Sequence, residues 1–249
     1  MKGRRRYYGS LISSVYGIYQ RLARAPKGFR ILMYHAVGSK VPGDIYGLYN
    51  ISPELFKEQM RNVSGSALKE VTRLHEMTGQ GLAITFDDGF RDNLEVAAPV
   101  LAELGLPFTV FVTPHFVLSG QLHYLSVAGL RELAAVPGAS IGAHGYSHCR
   151  LTECDNGQLQ EELVRSRQWL EDAIGRSVTT MSYPHGAVDQ RVRKAAAAAG
   201  YSLAAGSRSG SNLSGYDPFC LARTAIWAQD DLRVFQSKLA GDWDWLKWR

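Results

Sequence analysis

The chain has 249 residues, 45% of them hydrophobic and 20% charged, with a formal net charge of +5 at neutral pH. This composition excludes an intrinsically disordered protein, and the length suits one α/β barrel as readily as two small domains. No stretch reaches the roughly 18 consecutive apolar residues of a membrane-spanning helix.

Part of the positive excess sits at the start, in Lys2, Arg4, Arg5 and Arg6. The segment that follows, "YYGSLISSVYGIYQRL", is interrupted by serines, glycines and tyrosines. It lacks the unbroken apolar core and small-residue cleavage site of a signal peptide, so a cytoplasmic location is expected. Tyr8, Ile12, Val15, Tyr19 and Leu22 fall on one helical stripe beside Arg21 and Arg24. The stripe fits a helix docked against the rest of the fold, with peripheral contact at an anionic inner membrane face as the alternative.

From residue 29 the pattern is that of parallel βα units. Seven strands are expected, in "RILMYH", "LAITFDD", "PFTVFV", "ASIGAH", "VTTMSYP", "YSLAAG" and "LARTAI". Helical periodicity covers 53–62, 91–104, 126–135, 155–174, 188–199 and 230–239, with Pro99 expected to kink or interrupt the second. In 155–174, Leu159, Leu163, Leu170 and Ile174 line one face. Residues 36–51, rich in glycine and tyrosine, read as a long loop. No hinge or fixed-period repeat divides the chain, so residues 29–240 read as one domain between an N-terminal segment, 1–28, and a tryptophan-rich tail, 241–249. Trp243, Trp245 and Trp248 in that tail suit either a saccharide platform or a lid closing the core.

The three cysteines, Cys149, Cys154 and Cys220, contain no Cys-x-x-Cys pair and are odd in number, so neither a disulfide framework nor a zinc ribbon is expected.

The polar residues of interest stand at expected strand ends. His35 follows the first strand, Asp87 and Asp88 the second, His144 the fourth, and Tyr183-Pro184-His185 the fifth. In a closed parallel barrel those ends converge on one face. "HGYSH" places His144 and His148 four apart, and two imidazoles with one carboxylate make a facial ligand set that leaves positions for water and substrate. A cation there also explains why two like charges stand side by side, since neighbouring carboxylates repel unless something opposes them. Asp88 is then the expected ligand and Asp87 the base that takes a proton from water made acidic by the metal. Taken singly these signals are weak: His-x-x-x-His is often a surface coincidence, and Asp-Asp-Gly is a common turn. Their joint placement at the ends of different strands is what raises them.

"TFDDGF", "HGYSH" and "SYPHG" together resemble the polysaccharide deacetylases, the NodB homology domain of carbohydrate esterase family 4. The resemblance spans about residues 30–240 and implies a distorted (β/α)7 barrel, TIM-barrel-like, that removes acyl groups from N-acetylated sugars with a divalent metal. It implies Asp87 as base and Asp88, His144 and His148 as metal ligands, matching the chemical assignment. Two motifs depart from the family pattern. Ser182 replaces the usual arginine before Tyr183-Pro184, as in the branch resembling poly-N-acetylglucosamine deacetylases, and the late Leu-x-His motif is missing. In that branch the general acid comes from an early Tyr-His strand end, which here supplies His35. The backbone N–H of His185 is expected to help form an oxyanion hole, a role that needs no particular side chain. Arg223 resembles an arginine of the same branch that orients a carboxylate, with a surface ion pair as the alternative.

Arg91 has a weaker claim, His75, His115 and His123 have no motif around them, and Thr85 and Phe86 are expected to pack inside the barrel. The expected activity is metal-dependent removal of an N-acyl group, foremost acetyl, from an amino sugar. Zinc is the expected metal; nickel, cobalt or iron suit the same ligands. The expected substrate is an N-acylated saccharide, with lipid or nucleotide linkage favoured by the cytoplasmic setting. Alternatives are a deformylase of a formamido sugar and a saccharide-binding barrel that has lost catalysis. No nucleic-acid-binding module is seen.

Overall fold

The computed structural model describes residues 13–18, 28–65, 72–76 and 79–248. Of the expected N-terminal stripe, Tyr8, Ile12, Tyr19 and Leu22 lie outside these residues, and Val15 is exposed.

Seven parallel strands form one curled sheet: β1 (Arg30–Tyr34), β4 (Leu82–Phe86), β5 (Phe108–Val112), β6 (Ala139–Ala143), β7 (Thr180–Ser182), β8 (Leu203–Ala205) and β9 (Thr224–Ala225). Their order is β8-β7-β6-β5-β4-β1-β9. All seven coincide with the sequence expectation but are shorter, and β1, β4 and β6 stop just before His35, Asp87 and His144. The curl closes through a weak joint: β9 pairs with β1 over two residues, while the segment just before it touches β8 through a single parallel bridge, Ala205 to Leu221. This is the distorted (β/α)7 barrel. The 36–51 loop contains a two-residue parallel pair, β2 (Ala36–Val37) with β3 (Asn50–Ile51).

Strand alternation sorts the core into two layers. Ile31, Ala83, Phe111 and Ala205 fill the barrel interior, while Leu32, Ile84, Phe86, Phe108 and Val110 face the helices. Asp87 is in phase with Ala83 and Thr85, so its side chain enters the barrel mouth.

From residue 53 onward the α-helices among the described residues are α1 (Pro53–Ser64), α2 (Ala98–Glu103), α3 (Pro114–Leu118), α4 (Val127–Ala135), α5 (Asn156–Ile174), α6 (Gln190–Ala198) and α7 (Leu232–Ala240). Side-chain caps start several where the sequence predicts: Ser52, Ser126, Asp155, Asp189 and Asp231 each accept a bond from the first turn. The expected 91–104 helix is present over residues 91–103, with a π-helical stretch, Asn93–Ala97, running without a break into α2, whose second residue is Pro99. Pro99 therefore interrupts the regular ladder as expected, and the π-helical turn in front of it is the form the interruption takes.

The C-terminal residues pack beneath the barrel. Asp244 forms a buried two-toothed pair with Arg30 at 2.9 Å per contact, and Arg30 opens β1 at the end opposite the site. The Trp243 indole N–H donates to Ser237, and that of Trp245 to Ser13. These two rings thus close the base of the barrel and are no platform at its mouth.

Candidate metal and acyl-transfer site

The C-terminal ends of β1 and β4 lie side by side, the Asp87 N–H donating to the Tyr34 carbonyl at 3.0 Å. This brings His35, Asp87 and Asp88 to one spot. Immediately after β4 the chain turns sharply, with Asp88 at φ 74° and Gly89 at φ 77°. Gly89 needs both its conformational freedom and its lack of a side chain, since a Cβ there would stand 3.1 Å from Val112 Cγ1. Among the described residues, the non-glycine positions with positive φ are Asp88, His148 and His185, and all three are site residues. Left-handed backbone costs a non-glycine residue free energy, so its confinement to this spot marks structure organised for chemistry.

The turn after β6 aims the two imidazoles. Thr113 Oγ1 donates to the His144 carbonyl at 2.9 Å, Ser166 Oγ to the Gly145 carbonyl at 3.0 Å, and one Glu162 oxygen accepts from the N–H groups of Tyr146 and Ser147 at 2.8 and 3.0 Å. His144 is buried, and its Nδ1 lies 2.9 Å from the Ser182 carbonyl and 2.5 Å from Ser182 Oγ. A carbonyl only accepts, so Nδ1 carries the proton and Nε2 presents its lone pair to the site. Burial foremost, against the attraction of Asp87 and Asp88, pushes the His144 pKa down to about 4, which keeps the ring a neutral ligand.

Asp88 Oδ1 lies 3.2 Å from His148 Nε2 and 3.5 Å from His144 Nε2. One oxygen and two ring nitrogens from Asp88, His144 and His148 all fall within 4.8 Å of one another. Two ligands each about 2.1 Å from one ion stand about 3.4 Å apart in tetrahedral geometry, so the spacing suits a divalent cation. Asp88 Oδ1 is also buried with no well-formed hydrogen bond, an arrangement that a cation would satisfy.

Asp87 is the second carboxylate and is bound differently. Arg223 meets it fork to fork, Nη1 on Oδ1 and Nη2 on Oδ2, each at 2.7 Å, and Ser182 Oγ donates to Oδ1 at 3.2 Å. Burial alone would raise its pKa, but Arg223 and then His144 overcome that and hold the carboxyl well below the usual range. Arg223 is 1% exposed and further tied to the Gly206 carbonyl and Thr85 Oγ1. The surface ion pair weighed for it is therefore excluded.

The remaining expected residues are near. The His35 ring packs on Tyr49 with centroids 4.5 Å apart, Tyr49 packs on Trp227 at 5.3 Å, and Asn93 holds the His35 carbonyl at 2.8 Å. His35 is also close enough to lower the pKa of both aspartates. The His185 ring meets His148 edge to face with centroids 4.5 Å apart, and its Nε2 is 3.2 Å from the His148 carbonyl.

Several outcomes differ from the sequence reading. Arg91 turns outward to Glu95. His123, without a motif, joins a run of rings: Tyr124 packs on it at 4.3 Å, Phe116 stacks on Tyr124 at 4.3 Å, and Phe116 meets His148 at 5.2 Å. Ser182, read only as a motif departure, links His144 to Asp87, and Glu162 holds the metal-facing turn. Neither role has a local sequence signal, since each partner is distant along the chain.

The family model for polysaccharide deacetylases matches residues 75–204, just over half the chain. The chain belongs to the polysaccharide deacetylase family. It is 25% identical over 210 residues to YxkH of Bacillus subtilis, itself assigned by name to the polysaccharide deacetylases, covering 81% of this chain and 72% of that protein. It is 28% identical over 118 residues to the peptidoglycan-N-acetylglucosamine deacetylase PgdA of Listeria monocytogenes, covering 46% of this chain and 23% of PgdA. Among solved structures, the Streptococcus pyogenes deacetylase PplD superposes with a TM-score of 0.77 at 21% identity, covering 86% of this chain and 99% of that one. IcaB of Ammonifex degensii superposes at 0.70 and 21% identity, covering 89% and 97%. These two structures share the deacetylase barrel with this chain.

Proposed function

We propose that this polysaccharide deacetylase family member is a metal-dependent hydrolase that removes an N-acyl group, foremost acetyl, from an amino sugar of a saccharide. The observation that carries the reading is the convergence of Asp88, His144 and His148 on one point, with a second carboxylate clamped beside it. Asp88 Oδ1 and the two Nε2 atoms would hold a divalent cation, which would supply a Lewis acid for the amide carbonyl and for water. Zinc is the proposed metal, and the same donor set suits nickel, cobalt or iron.

Asp87 accepts the proton of the attacking water. Arg223 and Ser182 fix its carboxylate plane; Oδ1 accepts from both, while Oδ2 accepts from Arg223 alone and keeps a lone pair for the proton, so the base is oriented without being consumed. Its depressed pKa keeps it ionised; a base that weak works only on acidified water, which ties its role to the cation. Arg223 is thus a positioning residue. His35, braced by Tyr49 and Asn93, protonates the departing nitrogen, which leaves poorly as an anion. The backbone N–H at His185, in its left-handed turn, is the proposed donor to the oxyanion.

A lipid-linked substrate is the finer reading favoured by the cleft rim. Exposed Ile45 and Leu122 border an open groove that also reaches His123, and the ring run from His123 through Tyr124 and Phe116 leads from there to His148. No helix among the described residues is long and apolar enough to cross a membrane.

The test couples metal analysis to acyl release from N-acetylated and N-formylated amino sugars, free and lipid-linked. Asp87→Asn keeps the metal and loses about 10²–10⁴ of turnover; His144→Ala loses both. Formate in place of acetate transfers the reading to a deformylase. Sugar binding with neither metal nor acyl release transfers it to a binding barrel. An Asp87→Asn variant working at the normal rate removes Asp87 as base.

A further inference from the structure

The three cysteines are free, yet two of them meet: Cys149 and Cys154 Sγ atoms stand 3.3 Å apart. They flank a turn closed by the Glu153 N–H donating to the Arg150 carbonyl at 2.9 Å, and such a turn sets its two flanking side chains opposite each other. Cys149 directly follows His148, and Cys154 directly precedes Asp155, the N-cap of α5. Both thiols are partly exposed on an open groove of about 490 Å³ that Tyr146, Arg150 and Arg165 also line, so a small oxidant reaches them. Neither thiol has a part in the proposed reaction.

We propose that Cys149 and Cys154 are a dithiol that closes to a disulfide under mild oxidation and tightens the loop carrying His148. A disulfide has sulfurs about 2.05 Å apart, so the pair needs to approach by only about 1.2 Å, which side-chain rotation supplies. With hydrogen peroxide as oxidant, one sulfur attacks a peroxide oxygen, the O–O bond breaks, and a sulfenic acid and one water form. The second sulfur then attacks the first, the S–S bond forms as the S–O bond breaks, and the departing hydroxide takes the second thiol proton as water. Two thiols and one peroxide give one disulfide and two waters. Closing the ring over residues 149–154 restricts the chain next to His148 and removes conformations from the unfolded state. Its effect on metal retention rests on the proposed role of His148 as a ligand; formation of the bond does not.

The full chain is treated with stoichiometric peroxide, blocked with an alkylating agent and digested with trypsin. Cleavage after Arg150 separates peptide 132–150 from peptide 151–165, so the two stay joined before reduction only if Cys149 and Cys154 are bonded. The expected result is that linked pair, two hydrogens lighter, in wild type and in Cys220→Ser but absent in Cys154→Ser. Oxidised wild type is expected to melt about 5 °C above its reduced form and, loaded with zinc, to surrender the ion to EDTA severalfold more slowly. Both cysteines alkylated after peroxide, or linkage to Cys220 or to a second molecule, overturns the dithiol. An unchanged melting temperature overturns the tightening. A chain that holds no zinc in either state sinks the metal reading, while the peptide map still decides the dithiol.

Discussion

Asp87 and Arg223 form a buried fork-to-fork pair, with side chains 4% and 1% exposed, and the cost of breaking it is asymmetric. Arg223→Ala leaves a carboxylate in the barrel mouth with Ser182 as its remaining side-chain donor, and a buried charge stripped of its partner costs about 3–5 kcal/mol. Arg223→Lys restores charge but offers a point donor where two parallel bonds stood, so it recovers only part of that loss. Urea unfolding of the two variants is expected to rank them in that order, with equal stabilities contradicting the bidentate geometry. Ser182→Ala removes the hydroxyl bridging His144 and Asp87, and outer partners of this kind are worth about 10–100-fold in metal affinity. A competition titration with a zinc-binding dye reads that change. His35, Asp87, Asp88, His144 and His148 were legible in the sequence because chemistry-bearing side chains stood at strand ends. Arg223 was named from its resemblance as a carboxylate-orienting arginine, but its burial on Asp87, 136 positions away, and the bridging role of Ser182, 38 positions from His144, came only with folding.

At the scale of elements, β6 depends on a glycine. A Cβ on Gly142 would lie 2.5 Å from Phe111 Cδ1 and 2.9 Å from Thr180 Oγ1, so the strand approaches its neighbours' side chains closely only without one. Gly142→Ala is expected to cost about 1–3 kcal/mol through overpacking, visible as a lowered thermal midpoint, and an unchanged midpoint would show that Phe111 yields freely. Five side-chain caps made most helix starts readable locally. Helix α3 was not predicted, because it spans five residues and Thr113 gives it no side-chain cap. The π-helical stretch before α2 also escaped, because a widened turn has no distinct periodicity over so few residues.

Across the whole molecule, burial of tyrosines sets the alkaline limit of stability. Burial foremost raises the pKa of Tyr34, Tyr183 and Tyr201, with Asp230 adding to the effect at Tyr34. Each folded-state pKa lies above the ordinary value of 10.0, so above that pH the unfolded chain holds fewer protons than the folded one. Their contribution is intact below about pH 10 and is lost as pH rises further, by up to about 1.4 kcal/mol per pH unit for each group. Denaturant melts between pH 9 and 11 are expected to show this steepening, and Tyr201→Phe to reduce it; a flat profile would mean that the hydroxyls titrate freely.

The sequence by itself determined the seven parallel strands, most helix starts and the ends at which polar residues gather, because periodicity, caps and strand-end motifs are local properties of the chain. Tertiary structure decided how those parts meet. It buried Arg223 against Asp87, sent Trp243 and Trp245 to the base of the barrel, made Ser182 a bridge and set Cys149 against Cys154. Each of these depends on distances created by folding, through the curl of the sheet or the turns that leave it, and spacing along the chain does not encode them.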